Sequence, residues 1–235
     1  MDNKNIVFFD FDKTLTKIDT ILLFSHYFFS IENKQYKYLF IYFLFILLRL
    51  KLISEYSFKQ ILCTMLVKEK DETEVDIISQ NFFKYYSEKI FNRQIIDILK
   101  TRHTNGSKIY IVSSNYDFLL KPLQKLLPVE DIISTSTEKR NNIFTGKLIG
   151  NICSGKEKLN RSSELFKDDF KNNTVGFGDS RNDYDLLNAC SSSFLLSYKK
   201  EFIIKKIFRM IQMSLGSFDF SDTRFEIVPF KLTEL

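Results

Sequence analysis

Ile6-Val7-Phe8-Phe9-Asp10-Phe11-Asp12-Lys13-Thr14-Leu15-Thr16 decides how the chain is read. Four apolar residues, Ile6 to Phe9, stop at two aspartates with only Phe11 between them. A short run apolar on both faces predicts a buried strand of a parallel sheet, over residues 5–10. Its carboxylates then stand at the carboxyl end of the strand, where open α/β sheets bind ligands. Burying two acids this close together is unfavourable unless a cation or a reaction uses them. The plainer reading is an acidic turn in which Asp12 caps a helix, which leaves the buried acids unexplained.

Composition narrows the class. A chain of 235 residues, 44% hydrophobic, suits one domain or a core carrying an inserted subdomain. With 3 Pro and 7 Gly it has too little punctuation for long disordered linkers. The net charge of +5 is mild and its lysines are scattered, which favours a solvated surface over a nucleic-acid partner. Cys63, Cys153 and Cys190 form no C-x-x-C pattern, and read as buried thiols of a reducing compartment. His26 and His103 lack partners at ligand spacing, so zinc is not expected. Met1-Asp2-Asn3-Lys4 runs into a strand without the features of a signal peptide, and the expected location is cytoplasmic.

Outward from the first strand, the pattern turns helical from about Asp19 to Arg93, without Gly or Pro. That is too long for a crossover helix and reads as an inserted helical subdomain over 17–93. The core is then 1–16 and 94–215, with a tail of unknown role at 216–235. A helix over 94–101 leads to the Asn105-Gly106 turn and a strand Lys108–Val112, which ends at Ser113-Ser114-Asn115. A helix of about 116–127, a short strand 131–134 and a hairpin within 135–152 follow. Next come a helix 155–166, a strand Thr174–Gly178, a helix 182–190, an edge strand 193–196 and a basic helix 199–212. Strands alternating with helices predict an α/β fold with a doubly wound parallel sheet.

Inside the insert, Tyr38–Leu48 is an unbroken apolar and aromatic run closed by Lys37 and Arg49. It is shorter than the roughly 17–20 residues a membrane-spanning helix needs. A buried core helix is the favoured reading, and contact with a membrane surface the less favoured one.

The chemistry gathers at four separated segments. Asp10 is a candidate nucleophile toward phosphorus, and Asp12, on the same side by strand alternation, a candidate acid and base. Ser113 and the amides after it offer donors for phosphoryl oxygens, though such a serine is more often a cap. Lys158, in Gly155-Lys156-Glu157-Lys158, would offset negative charge. Gly176-Phe177-Gly178-Asp179-Ser180-Arg181-Asn182-Asp183 again ends a buried strand in an acid, with Asp183 four residues on. Clustered hard oxygen ligands suit magnesium, which would let Asp10 and a phosphate approach each other.

Together, the D-x-D-x-T of Asp10–Thr14, the strand-end Ser113, Lys158 and the G-D-S-x-x-D of Gly178–Asp183 resemble the haloacid dehalogenase superfamily. The stretch Val112-Ser113-Ser114-Asn115, Phe144-Thr145-Gly146 and Gly155–Lys158 is similar to the phosphoserine phosphatase-like subfamily, with its helical type-one cap. The resemblance implies a phosphomonoester hydrolase acting on a small phosphorylated metabolite, with Asp10 as nucleophile and Asp12 as acid and base. It implies magnesium held by Asp10, Asp12, Asp179 and Asp183, phosphate held by Ser113, Ser114 and Lys158, and support from Thr14 and Asn182. Lys13 stands where the commonest pattern has glycine. Asp19 takes the place of a glutamate that meets the substrate ammonium, and no arginine matches the one used on the substrate carboxylate. The apolar cap helix is similar to that of membrane-associated phosphatidylglycerophosphate phosphatases, so a lipid phosphate is the alternative substrate. A phosphotransferase would share the same aspartyl-phosphate. Oligomeric state is not legible.

Overall fold

Ile6–Phe9 forms β1 because a strand buried on both faces has no polar side to present. In the computed structural model, which describes residues 5–166, 173–198 and 225–230, this strand is the middle of a seven-stranded sheet. β2 (Lys108–Tyr116) and β5 (Thr174–Gly178) flank it, both parallel, with Val7 opposite Ile109 on one side and Val175 on the other. β3 (Asp131–Arg140) extends the sheet beyond β2, and β6 (Ser192–Tyr198) beyond β5. Antiparallel strands close both sides, β4 (Ile143–Ile149) on β3 and β7 (Phe225–Pro229) on β6. The chain leaves β1 toward one side and later returns to the other, so the switch point of the doubly wound sheet lies at β1.

Alternation along β1 feeds two cores. Ile6 and Phe8 join Tyr110, Val112 and Ile133 under Leu159 and Phe166 of α8 (Lys156–Phe166) and Leu186 of α9 (Tyr184–Ala189). Val7 and Phe9 join the larger core with Ile95, Ile96 and Leu99 of α5 (Arg93–Thr104). That core continues into four helices inserted between β1 and β2: α1 (Thr20–Ile31), α2 (Tyr36–Arg49), α3 (Glu55–Val67) and α4 (Glu72–Ile90). Phe24, Phe28, Phe82 and Phe83 interlock there edge to face.

The two chain crossings into the insert run side by side. Lys17 N–H donates to the Ile90 carbonyl at 2.8 Å and Asn92 N–H to the Leu15 carbonyl at 2.8 Å. A second attachment ties α3 to the β3–β4 hairpin. Gln60 Nε2 donates to the Gly146 carbonyl at 2.8 Å, and Leu148 N–H to Gln60 Oε1 at 3.0 Å. Just beyond α3, the amides of Glu69 and Phe144 donate to the carbonyls of Phe144 and Lys70, at 2.8 and 2.9 Å. Gly146 is required at this crossing: its φ is +78°, and a Cβ there would lie 2.9 Å from Lys68 Cβ.

Several elements differ from the sequence reading. β2 runs on through Ser113-Ser114-Asn115 to Tyr116. The expected helix 116–127 is two short turns, α6 (Asp117–Leu120) and α7 (Leu123–Leu126), because Pro122 interrupts it. Residues 193–196 are not the edge, since β7 pairs outside β6 and ends at Pro229, which has no amide to donate. α2 is not a fully buried helix. It buries Tyr38, Ile41, Leu44 and Phe45 and exposes Tyr36, Leu39, Phe40, Phe43 and Ile46. Among the described residues no helix is long and apolar enough to cross a membrane. The expected basic helix 199–212 lies outside the described residues, as does the 216–235 tail apart from 225–230.

Candidate active site

Asp10 is the first residue past β1, its amide still bonded to the Phe177 carbonyl of β5 at 2.9 Å. After it the backbone makes one irregular turn over Phe11–Leu15, with Lys13 at φ 57° in the left-handed region. That conformation is the physical reason a glycine is easily accommodated here. The turn folds Thr14 back beneath the strand end, where its hydroxyl donates to Asp10 Oδ2 at 3.1 Å. Lys158, from the first turn of α8, reaches the other oxygen, Nζ to Oδ1, at 2.5 Å. The same ammonium donates to Asp183 Oδ1 at 2.6 Å, so one buried cation joins two buried carboxylates.

Asp183 has a second task. Its Oδ2 accepts from the amides of Asp179 and Ser180, at 3.1 and 3.0 Å, and from the Ser180 hydroxyl at 3.0 Å. These bonds close the loop after β5 and set Asp179 beside Asp10. Gly178 fits against this arrangement, since a Cβ there would meet Asp183 Cβ at 2.7 Å. Asp10, Asp179 and Asp183 each bring a carboxylate oxygen to a common centre, the three atoms lying within 4.8 Å of one another.

The charge balance of this centre is negative. Burial, with repulsion from Asp183 and Asp12, pushes the Asp10 carboxyl up to about 7 even with the Lys158 cation against it. Burial and the nearby Asp10 push Asp179 up to about 9. Burial opposes the Lys158 charge, yet Asp10 and Asp183 hold its pKa above the usual lysine value. Three hard oxygen donors with surplus negative charge are the donor set a magnesium-sized divalent cation takes, and the residues present fit one.

Asp12 lies across from this cluster. Its Oδ1 accepts from the Thr20 amide at 2.9 Å and the Thr20 hydroxyl at 2.6 Å, at the start of α1. Its Oδ2 accepts from Asn115 Nδ2 at 3.0 Å. Asp12 therefore ties the insert to the strand end, so the helix-capping interaction and the cavity position coexist. Burial and the neighbouring Asp19 raise its pKa, against the lowering pull of the Thr20 bonds. Asp19 accepts from Lys13 Nζ at 2.6 Å.

Ser113 and Ser114 part company. Ser113 is buried, with its hydroxyl accepting from the Asn115 amide at 3.1 Å. Ser114 faces the cavity and meets Lys59, whose ammonium donates to its carbonyl and, at 3.1 Å, to its hydroxyl. The cavity encloses about 450 Å³, within the range of small-molecule sites. Asp10, Asp12, Lys158, Asp179 and Asn182 line it from the sheet edge, and Asp19, Phe45, Arg49, Phe58 and Lys59 from the insert. Asp183 and Thr14 act from behind these residues.

Lys59, Asn115 and Arg49 escaped the sequence reading. For Lys59 a signal existed: it lies between Phe58 and Leu62 on the buried side of α3, a poor place for a lysine without a partner. Burial lowers its pKa, against the attraction of Glu55 and Asp12. Asn115 and Arg49 carry no such mark, because a strand-end amide and a helix-end arginine are ordinary.

A doubly wound sheet that gathers acids and a lysine at its switch point defines an α/β protein with a charged centre on the carboxyl edge. The chain belongs to the haloacid dehalogenase-like hydrolases, whose family profile matches residues 7–188. No curated protein sequence matches it. Among solved structures, a protein of unknown function from Bordetella pertussis Tohama I is similar, with a TM-score of 0.74 at 17% identity over 81% of this chain and 88% of that one. A substrate-bound phosphoserine phosphatase has a TM-score of 0.57 at 15% identity, covering 87% of this chain and 90% of the other. A phosphoserine phosphohydrolase-like protein from Francisella tularensis has a TM-score of 0.57 at 19% identity, over 80% and 85%. At these identities the likeness concerns the fold.

Proposed function

We propose that the protein is a magnesium-dependent phosphomonoester hydrolase working through an aspartyl-phosphate on Asp10. The observation that carries this reading is the environment of Asp10. It is a strand-end carboxylate oriented by Thr14 and Lys158, beside Asp179 and Asp183 in a cavity of small-molecule size. In this reading a carboxylate oxygen of Asp10 forms a bond to phosphorus as the ester P–O bond breaks. Asp12 donates its proton to the departing alcohol oxygen, a role its raised pKa suits. Asp12 then takes a proton from water as that water attacks phosphorus, which releases phosphate and restores Asp10. Asp10, Asp179 and Asp183, with the main chain near Asp12, would hold Mg2+, which supplies charge neutralisation for two anions brought together. Lys158, Ser114 and Lys59 hold phosphoryl oxygens, Ser113 steadies the end of β2 that presents Ser114 by accepting from the Asn115 amide, and Asn182 stands at the rim.

Residues 17–93 act as a cap over the core that the described residues before 17 and after 93 form, and the substrate is a small phosphorylated molecule. The Lys13–Asp19 pair argues against phosphoserine, because Lys13 of the chain itself already meets the carboxylate that would receive a substrate ammonium. The test is turnover of p-nitrophenyl phosphate with added magnesium. Asp10→Asn should lower kcat by at least about a thousandfold while circular dichroism stays unchanged. A folded Asp10→Asn protein with undiminished turnover would sink the mechanism.

A further inference from the structure

The exposed side of α2 has no counterpart in the catalytic reading. Tyr36, Leu39, Phe40, Phe43 and Ile46 recur at three- and four-residue spacing, so they form one stripe along the helix. Leu39 is 73% exposed and Phe43 53%, and Leu50 and Leu52 continue the stripe past the helix end at 62% and 68%. Isolated exposed apolar residues are ordinary, whereas a continuous stripe marks a docking surface. Among the described residues nothing covers it.

Charge indicates what does. α2 contains no acidic residue, and basic residues stand at both of its ends: Lys37 at one, where the neighbouring Lys34 is paired with Glu32, and Arg49 and Lys51 at the other. A second copy packed stripe to stripe would set these like charges against one another in either orientation. An anionic bilayer takes an apolar stripe into the headgroup boundary and basic flanks onto its phosphates. At 14 residues, about 21 Å, the helix is suited to lie in that plane rather than to cross it.

The stripe is also joined to the catalytic cavity. Phe45 and Leu48 of α2 line its wall, and the exposed Arg49 and Lys51 line its rim. We propose that the outer face of α2 docks on an anionic lipid surface and presents the cavity rim to it, so that the phosphomonoester headgroup of a lipid reaches Asp10. The docking stands on the stripe, its flanks and the rim. The lipid substrate rests in addition on the phosphomonoesterase reading. Arg49 and Lys51 draw the headgroup, while Phe45 and Leu48 receive the first carbons of the lipid.

The full chain is to be spun with vesicles of phosphatidylcholine alone, and of phosphatidylcholine with about one third phosphatidylglycerol. The Leu39→Glu, Phe43→Glu pair is compared with Ile77→Glu, Tyr85→Glu, which places the same charge on exposed apolar positions of α4. Sedimentation with the anionic vesicles is expected for the wild type and the α4 pair, and a loss of about tenfold or more for the α2 pair. All three should turn over p-nitrophenyl phosphate equally, while hydrolysis of vesicular phosphatidic acid falls only in the α2 pair. The proposal is overturned if the wild type stays in the supernatant, or if the α4 pair loses as much binding as the α2 pair. It is equally overturned if the wild type is a dimer that the α2 pair splits while vesicle binding is absent. Vesicle binding that tracks α2 in a protein inert toward p-nitrophenyl phosphate would support the docking surface and contradict the phosphatase reading.

Discussion

Single side chains in this centre serve two purposes at once, which is why sequence alone under-describes them. Asp183 spends one oxygen on Lys158 and the other on closing the loop that positions Asp179. Asp12 binds the first residue of α1 and still lines the cavity. The acids were legible because a buried strand end is a poor place for them. Lys59 was legible only in principle, as a cation on a buried helix face, and the Lys13–Asp19 pair needed the turn to be folded. The titration of the acids gives a measurable consequence. Asp179 ionises near 3.8 when unfolded and near about 9 when buried beside Asp10, so between these values the folded state binds the extra proton. Stability of the metal-free protein therefore falls as pH rises through that window, and Asp10 adds to the fall up to about 7. A divalent ion that needs these carboxylates ionised should reverse the trend. The rise in melting temperature on adding magnesium is expected to be larger at about pH 8 than at about pH 5. A magnesium increment independent of pH would contradict the assignment of the acids to a metal.

At the scale of elements, β1 and β5 were readable as unbroken apolar runs, and the helical character of 19–93 from the absence of Gly and Pro. The polar residues Ser113-Ser114-Asn115 hide the full extent of β2 in the sequence, although they extend the strand to Tyr116 beside β3. β7 is five residues of mixed polarity, and only its pairing with β6 identifies it. The half-exposed state of α2 was beyond reach, since a helix apolar on every side has no periodicity to tell its faces apart. The contact between α3 and the hairpin rests on Gly146, where both the positive φ and the lack of a Cβ are needed. Gly146→Ala should cost about 2 kcal/mol of unfolding free energy in urea, through strain and the forced separation of Thr64 and Lys68. An unchanged urea midpoint would mean that α3 yields freely at this crossing.

For the whole molecule, one sheet does the organising. Its switch point collects Asp10 from β1, Ser114 from β2 and Asp179 from the end of β5, and α8 adds Lys158. The insert covers them with α2 and α3, pinned at its two crossings and at the hairpin. In the proposed function the chemistry lies at the sheet edge and substrate choice falls to the insert, whose outward face is the apolar stripe of α2. The central claim is that Asp10 carries the phosphoryl group. It is tested most directly by acid-quenching the enzyme during turnover of p-nitrophenyl phosphate with magnesium and sequencing its peptides by mass spectrometry. One phosphoryl group on Asp10, absent from Asp10→Asn, is the expected result. A phosphoryl group on any other residue of the active enzyme would contradict it.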